Sequence, residues 1–474
     1  MKKLKLFIEN FLVYGLGGII SKIVPLIMVP IVARLMPTSD YFGLSDMSNT
    51  VISFASAIAI MGMYDAVYRM FFEKDDEEYK KTVCSTALTF TVITSLVIFV
   101  VMIIFKDYIA KVFFSDRKYA YIVYLSAIAT LVGATNSIVA LPTRMQNKRK
   151  IFLITNTISP VLSYAISIPM LLAGYYTIAL PLAGVVSGIT MELTFYGLNR
   201  NWFKLGHFDS KLLKQLLIIA VPLLPEFLIY WIFNSCDKVM ITNMIGIGAA
   251  GIYAVGSKLG HASQLIYRAF AGGWQYFAFS TMNEDDQVKS NSMVFEYLGL
   301  ISFIASAFIC ALSFVIFKYV FPEEYLSGYI VAPYLFLAPL LQMLYQVISN
   351  QFLVIKKTWP EMLILLSGAV VNVIINYALI PILGIEGASI ATLVGYVVSD
   401  IICVIVLVKM KLMILTKKFV TIAGAMALYI VAWRIMFSNN TIVGTIVAFA
   451  ITLFMLFVYR DVIIQFMKLL RKGN

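Results

Sequence analysis

The sequence predicts an all-α, polytopic membrane protein with about fourteen transmembrane helices. Hydrophobic residues make up 61% of the 474 positions, charged residues only 13%, and the mean hydropathy is +0.89. A soluble chain carries about 25% charged residues. The apolar runs reach the roughly 20 residues that a helix needs to cross a bilayer. They are continuous rather than alternating, which favours helices over a β-barrel, the other structure that satisfies its backbone inside lipid.

The apolar segments define the predicted spans 11–35, 44–68, 82–105, 119–143, 151–173, 176–198, 212–236, 250–275, 293–317, 328–352, 360–383, 386–408, 414–436 and 440–460. No gap between them exceeds about 20 residues, which is too short for a catalytic domain. The chain starts with a basic flank and a long span that has no small-residue cleavage site. We therefore expect a retained first helix rather than a signal peptide.

Lysine and arginine predict the orientation, because cytoplasmic loops carry an excess of both. With the N-terminus inside, the cytoplasmic segments hold about 26 of them and the outer segments about 7. An even number of helices then places both termini in the cytoplasm. The net charge of +12 is explained by these loops and by a basic C-terminal tail on the inner leaflet, so we expect no nucleic-acid partner.

An internal repeat with an offset near 212 residues predicts two lobes. Pro169 and Pro381 end matching spans, and Ser187 and Ser399 follow at matching distances. A further match relates Tyr41-Phe42-Gly43 to Gly251-Ile252-Tyr253. Six helices lie within one offset, so the lobes share their orientation, as in transporters with parallel repeats. The predicted organisation is an N-lobe (1–205), a C-lobe (206–410), and helices 13–14 with the tail (411–474).

Two such lobes predict a central cavity with a substrate site near the bilayer midplane. Charged side chains inside spans are costly and usually face a cavity or a partner. The cationic candidates for substrate binding are Lys22, Arg34, Lys258, His261 and Arg268. The alternatives are snorkelling toward headgroups or an internal ion pair, and for His261 a packing role.

Amide side chains on the predicted helices are candidates for the polar lining of this cavity. Gln264 extends the stripe of Lys258 and His261 on helix 8, since these residues share one helical face. The others are Gln342 and Gln346 on helix 10, and Asn372 and Asn376 on helix 11. Contacts between helices are the alternative reading of such amides.

Helix 7 carries a further polar face with Glu226, Tyr230, Asn234 and Asp237. Glu226 is either a proton or cation coupling site or a counter-ion to Lys22 or Lys258. Asn234 and Asp237 would lie nearer the outer mouth. The hypothesis is coupling to H+ or Na+, with no organic cofactor.

Other site classes find no support in the sequence. The four cysteines do not occur in CxxC pairs, so their spacing indicates neither a metal site nor a disulfide framework. There is no Walker motif, GxSxG or HExxH, so neither an ATPase nor a hydrolase is indicated.

Three segments resemble the polysaccharide transporter family, the oligosaccharide flippases of the multidrug/oligosaccharidyl-lipid/polysaccharide exporter superfamily. They are VPLIMVPIVARLMPTSDYFG (24–43), LIIAVPLLPEFLIYWIFNSCDKVMITNMIGIGAAGIYAVGSKLG (217–260) and VVNVIINYALIPILGIEGASIATLVGYVVS (370–399). The resemblance runs from residue 1 to about 410. Twelve positions carry the residue type that the family pattern expects. In the second segment they are Pro222, Pro225, Asn234, Asp237, Gly251, Tyr253 and Lys258, and in the third they are Asn376, Pro381, Gly384, Gly387 and Ala391.

This resemblance implies a flippase of the bacterial cytoplasmic membrane. It would move an undecaprenyl-diphosphate-linked oligosaccharide outward by alternating access, for a surface polysaccharide such as capsule or O-antigen. Polysaccharide polymerase and glycosyltransferases are the implied partners, besides the lipid bilayer. The related lipid II flippases use a cationic cavity for the diphosphate, a role that Lys22, Lys258 and Arg268 would take here.

Two alternatives remain. A cation-coupled multidrug antiporter could use the same fold. The sign of the charge that lines the cavity distinguishes this antiporter from the flippase. Residues 11–35 contain Lys22 and Arg34 but no acid, which favours an anionic substrate. A membrane polymerase or glycosyltransferase acting on the same lipid would need a long outer loop or a catalytic acid at a membrane face, and neither is visible.

Overall fold

The computed structural model describes residues 23–204, 207–267, 270, 274, 278, 286–357, 359–461 and 464. Within these residues the chain is helical and has no β-strand. Eleven helices are long and apolar enough to cross a membrane, and there are up to twelve spans if one bent helix pair is counted. The prediction of an all-α, multi-pass membrane protein is confirmed.

These helices account for twelve of the predicted spans. The other two, 11–35 and 250–275, run into residues outside the described part, so the number fourteen stays a prediction. The chain divides into two compact units, Met1–Ala254 (unit 1) and Val255–Asn474 (unit 2). This division differs from the predicted lobe boundary at 205/206. That boundary rests on the repeat and stays a prediction.

In unit 1, helix α6 lies at the centre and packs against α2, α4 and α9. The described helices are α1 (Ile23–Leu35), α2 (Ser39–Ile60), α3 (Met63–Phe71), α4 (Glu77–Ile104), α5 (Lys106–Phe114), α6 (Ala120–Val139), α7 (Leu141–Met145), α8 (Arg149–Leu172), α9 (Ala179–Asn199), α10 (Ser210–Ala220), α11 (Leu224–Trp231), α12 (Asp237–Met244) and the first half of α13 (Ile247–Gly260).

The predicted second span is bent rather than continuous. Helices α2 and α3 meet at an angle of 46°, because Met61 and Gly62 both adopt positive φ, 51° and 73°. A Cβ on Gly62 would lie 2.4 Å from the backbone oxygen of Ala220, at the end of α10. Glycine satisfies both the backbone angle and the close contact, so the bend is fixed against α10.

The predicted seventh span is interrupted twice. A 3-10 turn at Val221–Leu223 contains Pro222, and α11 begins with a proline in its first turn. Both positions tolerate a residue without a backbone N–H. A π-helical segment, Ile232–Cys236, then separates α11 from α12. The span reaches Met244, eight residues beyond the predicted end at 236.

In unit 2, helix α16 forms the centre, and most of its residues are buried. It packs against α15 and α18, and α17 packs against α18. The described helices are the second half of α13, α14 (described over 264–267), α15 (Gln287–Val320), α16 (Val331–Val354), α17 (Trp359–Leu383), α18 (Ile385–Lys409), α19 (Lys417–Ala432) and α20 (Thr441–Val458).

The last two helices are fixed to unit 2 by polar contacts. At the start of α19, buried Glu296 accepts hydrogen bonds of 2.9 Å from the Thr416 N–H, the Thr416 hydroxyl and the Tyr459 hydroxyl. At its other end, Arg434 donates to both oxygens of Glu386 on α18, at 2.5 and 2.8 Å. A guanidinium paired in this forked geometry fixes orientation as well as charge.

Candidate functional site

The predicted cationic residues are only partly within the described chain. Lys22 and Arg268 lie outside the described residues. Arg34 is exposed at the end of α1. Lys258 is half-buried near the end of α13, and His261 is half-buried in the 3-10 turn that follows. A cationic cavity therefore stays a prediction.

The polar stripe of helix 8 crosses a change of helix type. Lys258 lies in α13, His261 begins the 3-10 turn His261–Ser263, and half-buried Gln264 follows as the helix resumes. Residues three apart eclipse in a 3-10 turn. The spacing of these three residues therefore keeps them on one side of the chain.

The amides of helix 11 act as contacts between helices. Asn372 and Asn376 are fully buried. The Asn372 side chain donates to the Thr392 hydroxyl on α18 at 3.2 Å, and Asn376 donates to the Asn372 oxygen at 3.2 Å. This arrangement agrees with the alternative reading, in which such amides join helices.

Gln342 and Gln346 are half-buried on α16. Two nearby side chains of α16 bond to α17: Tyr345 donates to the backbone oxygen of Glu361 at 2.6 Å, and Ser349 donates to the Glu361 carboxylate at 2.7 Å. These two side chains therefore join α16 to α17.

Glu226 lies in the first turn of α11, and its side chain is exposed on the protein surface. Asp65 on α3 acts on it electrostatically. A second acid, Asp65, therefore acts on Glu226, and the cation Arg144 acts in turn on Asp65. Two neighbouring carboxylates repel each other and favour a proton or cation between them.

The other predicted acid of helix 7 is buried. Asp237 is 3% exposed at the start of α12. It accepts hydrogen bonds from the hydroxyl of buried Tyr253 on α13 and from the Lys238 N–H. Asn234, in the π-helical segment, donates to the Tyr230 backbone oxygen at 2.7 Å. The prediction that these side chains share one face assumed a continuous α-helix, with 100° of rotation per residue. The π-helical segment changes that rotation, so they do not share one α-helical face.

Sequence reasoning missed an ion pair beside Asp237. The Lys238 ammonium on α12 lies 2.7 Å from a carboxylate oxygen of Asp46 on α2, and their side chains are only 15% and 8% exposed. Lys238 lies just past the predicted span 212–236, in a predicted outer segment. Asp46 lies in the predicted second span, so the criterion of a charge inside an apolar span would have found it.

Helices α2 and α13 approach backbone to backbone beside this pair. A Cβ on Gly43 would lie 2.2 Å from the Ile247 backbone oxygen. A Cβ on Gly251 would lie 2.0 Å from the Ser39 backbone oxygen. These glycines belong to the two short motifs that the repeat had matched, and they contact each other. We call this close approach the α2–α13 crossing.

The crossing and its polar cluster form the candidate functional site. The cluster consists of Asp46, Asp237, Lys238 and Tyr253. It joins α2, α12 and α13 by an ion pair and hydrogen bonds, which are directional and break when helices separate. No group of three metal-ligating side chains occurs among the described residues. The arrangement holds the three helices together through charged and polar contacts.

Solved structures share this fold. The lipid II flippase MurJ, in an inward closed conformation, matches with a TM-score of 0.75 and 16% identity, over 95% of this chain and 100% of that chain. An inward-facing multidrug resistance MATE transporter of the MOP superfamily matches with a TM-score of 0.58 and 15% identity, over 83% and 98%. An outward-facing one matches with 0.59 and 14%, over 86% and 95%. These likenesses show a MurJ- and MATE-like fold.

By sequence, no curated protein gives a significant match. A family profile described as "Polysaccharide biosynthesis protein" does match, over residues 31–330. That range is more than half of the chain. Of the segments that carry the predicted resemblance, it includes 217–260 and most of 24–43, and 370–399 lies outside it. The protein therefore belongs to this polysaccharide biosynthesis family, as its motifs had predicted.

Proposed function

We propose that this protein is a flippase for a lipid-linked oligosaccharide. Its substrate would be an undecaprenyl-diphosphate-linked repeat unit, moved across the bacterial cytoplasmic membrane for surface polysaccharide synthesis. The family match over residues 31–330 is the observation that carries this proposal. The fold match over the whole MurJ chain supports it, with a higher TM-score than the MATE transporters give.

The α2–α13 crossing would act as the outer closure in alternating access. In the predicted orientation, the start of α2, the end of α12 and the start of α13 face the outside. Opening this side requires Lys238 to leave Asp46 and the two glycines to separate. Because an unpaired buried charge is costly, the ion pair would favour the closed state until substrate or a coupling ion compensates.

Lys22, Lys258 and Arg268 would bind the diphosphate, with Arg34 and His261 nearby. A phosphate entering a low-dielectric region needs a cation at short distance. Gln264 on the stripe of Lys258 would hydrogen-bond the sugar–phosphate portion.

Glu226 and Asp65 would form the coupling site for H+ or Na+. Their mutual repulsion favours uptake of a positive ion, and the Glu226 side chain is not enclosed by the described residues. Binding of the ion at Glu226 and Asp65 would be transmitted along helix 7 to Asn234 and Asp237. Both termini would be cytoplasmic. Glycosyltransferases would supply the lipid-linked unit inside and a polymerase would consume it outside.

A reconstituted assay tests the proposal directly. Purified protein in vesicles should move a fluorescent undecaprenyl-diphosphate oligosaccharide between leaflets, and empty vesicles should not. Lys258→Ala should abolish movement while Lys258→Arg retains part of it; exposed Lys111→Ala serves as the matched control. If the protein moves amphipathic drugs but not the lipid-linked sugar, the multidrug antiporter alternative is correct.

A further inference from the structure

Glu192 is a carboxyl group inside a membrane-spanning helix that the proposed function does not use. It is the fourteenth of the 21 residues of α9 and lies within the predicted span 176–198. A charge at this depth is costly, and such residues usually face a cavity or a partner. Glu192 was not among the residues predicted to be functional, although the criterion of a charge inside a span identifies it.

One side chain of the neighbouring helix contacts this carboxyl. The Oε1 atom of Glu192 and the hydroxyl of Thr135 on α6 form a hydrogen bond. Helix α6 is the centre of unit 1, and α9 is one of the helices packed on it. Thr135 is buried and Glu192 is half-buried. Glu192 is therefore held against α6 without being fully enclosed.

Among the described residues, no charged group compensates Glu192. Thr135 is its hydrogen-bond partner, and no described charge acts on it electrostatically. Other ionisable side chains do occur on α9 and on the elements packed against it, and none of them acts on Glu192. These side chains are Asp40, Tyr41 and Asp46 on α2, Tyr121 and Tyr124 on α6, Arg144 on α7, Lys150 and Tyr164 on α8, Tyr196 on α9, and Arg200 directly after it.

The hydrogen atoms available at Thr135 indicate which group donates. A threonine hydroxyl carries one hydrogen and can also accept. The Thr135 oxygen lies 3.0 Å from the Leu131 backbone oxygen and 3.1 Å from that of Val132, within its own helix. With its hydrogen on either carbonyl, Thr135 can only accept from Glu192. A carboxyl donates only when it carries a proton.

The opposite arrangement leaves a charge inside the membrane. If Thr135 donated to Glu192 instead, the carboxylate would have this single hydrogen bond among the described residues. An ionised carboxyl with so little compensation is costly in an apolar medium, and such groups become neutral instead. The chemistry of the pair therefore favours the protonated carboxyl.

Three kinds of partner could neutralise this carboxyl: a basic side chain, a metal ion or a proton. A basic side chain is absent from its described surroundings. A hard metal ion needs several oxygen ligands, and the described residues hold no group of three metal-ligating side chains. A proton needs no further ligand.

We propose that Glu192 is a proton-binding site of unit 1, at which the protonated carboxyl donates its hydrogen to the hydroxyl oxygen of Thr135. The proton comes from water and returns to water, so no other reactant is needed. Ionisation would require the Thr135 hydrogen to leave its α6 carbonyl, so the contact between α6 and α9 depends on the proton. This inference goes beyond the proposed function, since it concerns neither the lipid-linked substrate nor the pair of Glu226 and Asp65.

Infrared spectroscopy tests the protonation state directly, because the C=O stretch of a protonated carboxyl is separate from the carboxylate bands. The purified full chain is compared with Glu192→Gln in D2O buffer at neutral pH, where a solvated glutamate is ionised. We expect a protonated-carboxyl band in the parent that Glu192→Gln loses, without loss of carboxylate absorption. The matched control is Glu73→Gln, which removes an exposed glutamate. It should lose carboxylate absorption and keep the protonated-carboxyl band.

A second variant tests whether Thr135 is the partner. Thr135→Val keeps the shape of the side chain and removes the hydroxyl, so the protonated-carboxyl band of Glu192 should move. Thr130→Val is the matched control on α6. Thr130 is also buried, and its hydroxyl bonds to the Ser126 backbone oxygen at 2.8 Å. The band should stay in place in this control.

Two results would overturn the inference. One is loss of carboxylate absorption, rather than of the protonated-carboxyl band, in Glu192→Gln. The other is an unmoved band in Thr135→Val. Size-exclusion profiles report whether each variant is folded, and if Glu192→Gln does not fold, Thr135→Val decides, because that chain keeps Glu192. None of these measurements involves flipping, so failure here is distinguishable from failure of the proposed function.

Discussion

The ammonium of Lys238 and the carboxylate of Asp46 meet at 2.7 Å, in surroundings that leave both side chains almost inaccessible. They lie far apart in the sequence, on α12 and α2. Lys238→Met should leave Asp46 buried without its partner and destabilise unit 1 by about 3–5 kcal/mol. Thermal unfolding of the purified protein measures this change.

A double-mutant cycle separates the ion pair from general packing. Asp46→Asn combined with Lys238→Met removes both charges and should recover most of the lost stability. If the two single changes simply add in the double variant, the pair does not couple α2 to α12.

The α2–α13 crossing should not tolerate a methyl group. Gly43→Ala and Gly251→Ala would each place a Cβ about 2 Å from a backbone oxygen, and backbone cannot rotate away as a side chain can. Overpacking of this kind costs about 1–3 kcal/mol or more. We expect a lower unfolding temperature and loss of surface polymer in a complementation assay.

The control for these variants is Gly197→Ala, because a Cβ at Gly197 meets nothing within 4 Å. It should behave like the parent in both measurements. Normal stability in Gly43→Ala would mean that the helices can separate at this point with little cost.

Arg434 should hold the end of α19 through the geometry of its guanidinium. Arg434→Lys keeps the charge but loses the forked contact with Glu386, so it should retain only part of the stability. Arg434→Ala should be less stable than Arg434→Lys, and its free energy of unfolding should lie about 1–3 kcal/mol below that of the parent, because hydrogen bonds to charged groups contribute more than neutral ones. Limited proteolysis within 410–416, before α19, reports the loosening. Equal digestion of all three proteins would contradict this role.

Glu226 tests the proposed coupling. Glu226→Gln mimics the protonated carboxyl and removes its repulsion with Asp65. Flipping in vesicles should then respond less to an imposed H+ or Na+ gradient than it does in the parent. Asp65→Asn should reduce the response in the same direction. If the gradient still accelerates the Gln variant as much as the parent, the coupling site must be sought elsewhere.

The sequence predicted the class of fold well because membrane helices are specified by length and hydropathy. Twelve predicted spans have counterparts among the described helices. Interruptions were harder to predict. The bend at Gly62 depends on contact with Ala220, which is distant in the sequence. Hydropathy reports whether a residue prefers lipid, but it does not report which helix lies beside it.

The candidate site was predicted only in part for the same reason. Asp237 was identified as a polar residue of helix 7, but its partner Tyr253 was noted only within a sequence motif. Lys238 was assigned to a loop because the predicted span ended too early. The asparagines of helix 11 were identified, and their contact with Thr392 favours the packing alternative. Lys22 and Arg268, outside the described residues, stay predictions.

The π-helical segment Ile232–Cys236 has a consequence for the evolution of this chain. A wide turn accommodates one more residue than an α-helical turn, and one residue corresponds to about 100° of rotation. Loss of a single residue there would leave hydropathy and length almost unchanged, yet it would turn Asp237 and Lys238 away from Tyr253 and Asp46. Insertions and deletions within these five positions should therefore be selected against more strongly than substitutions.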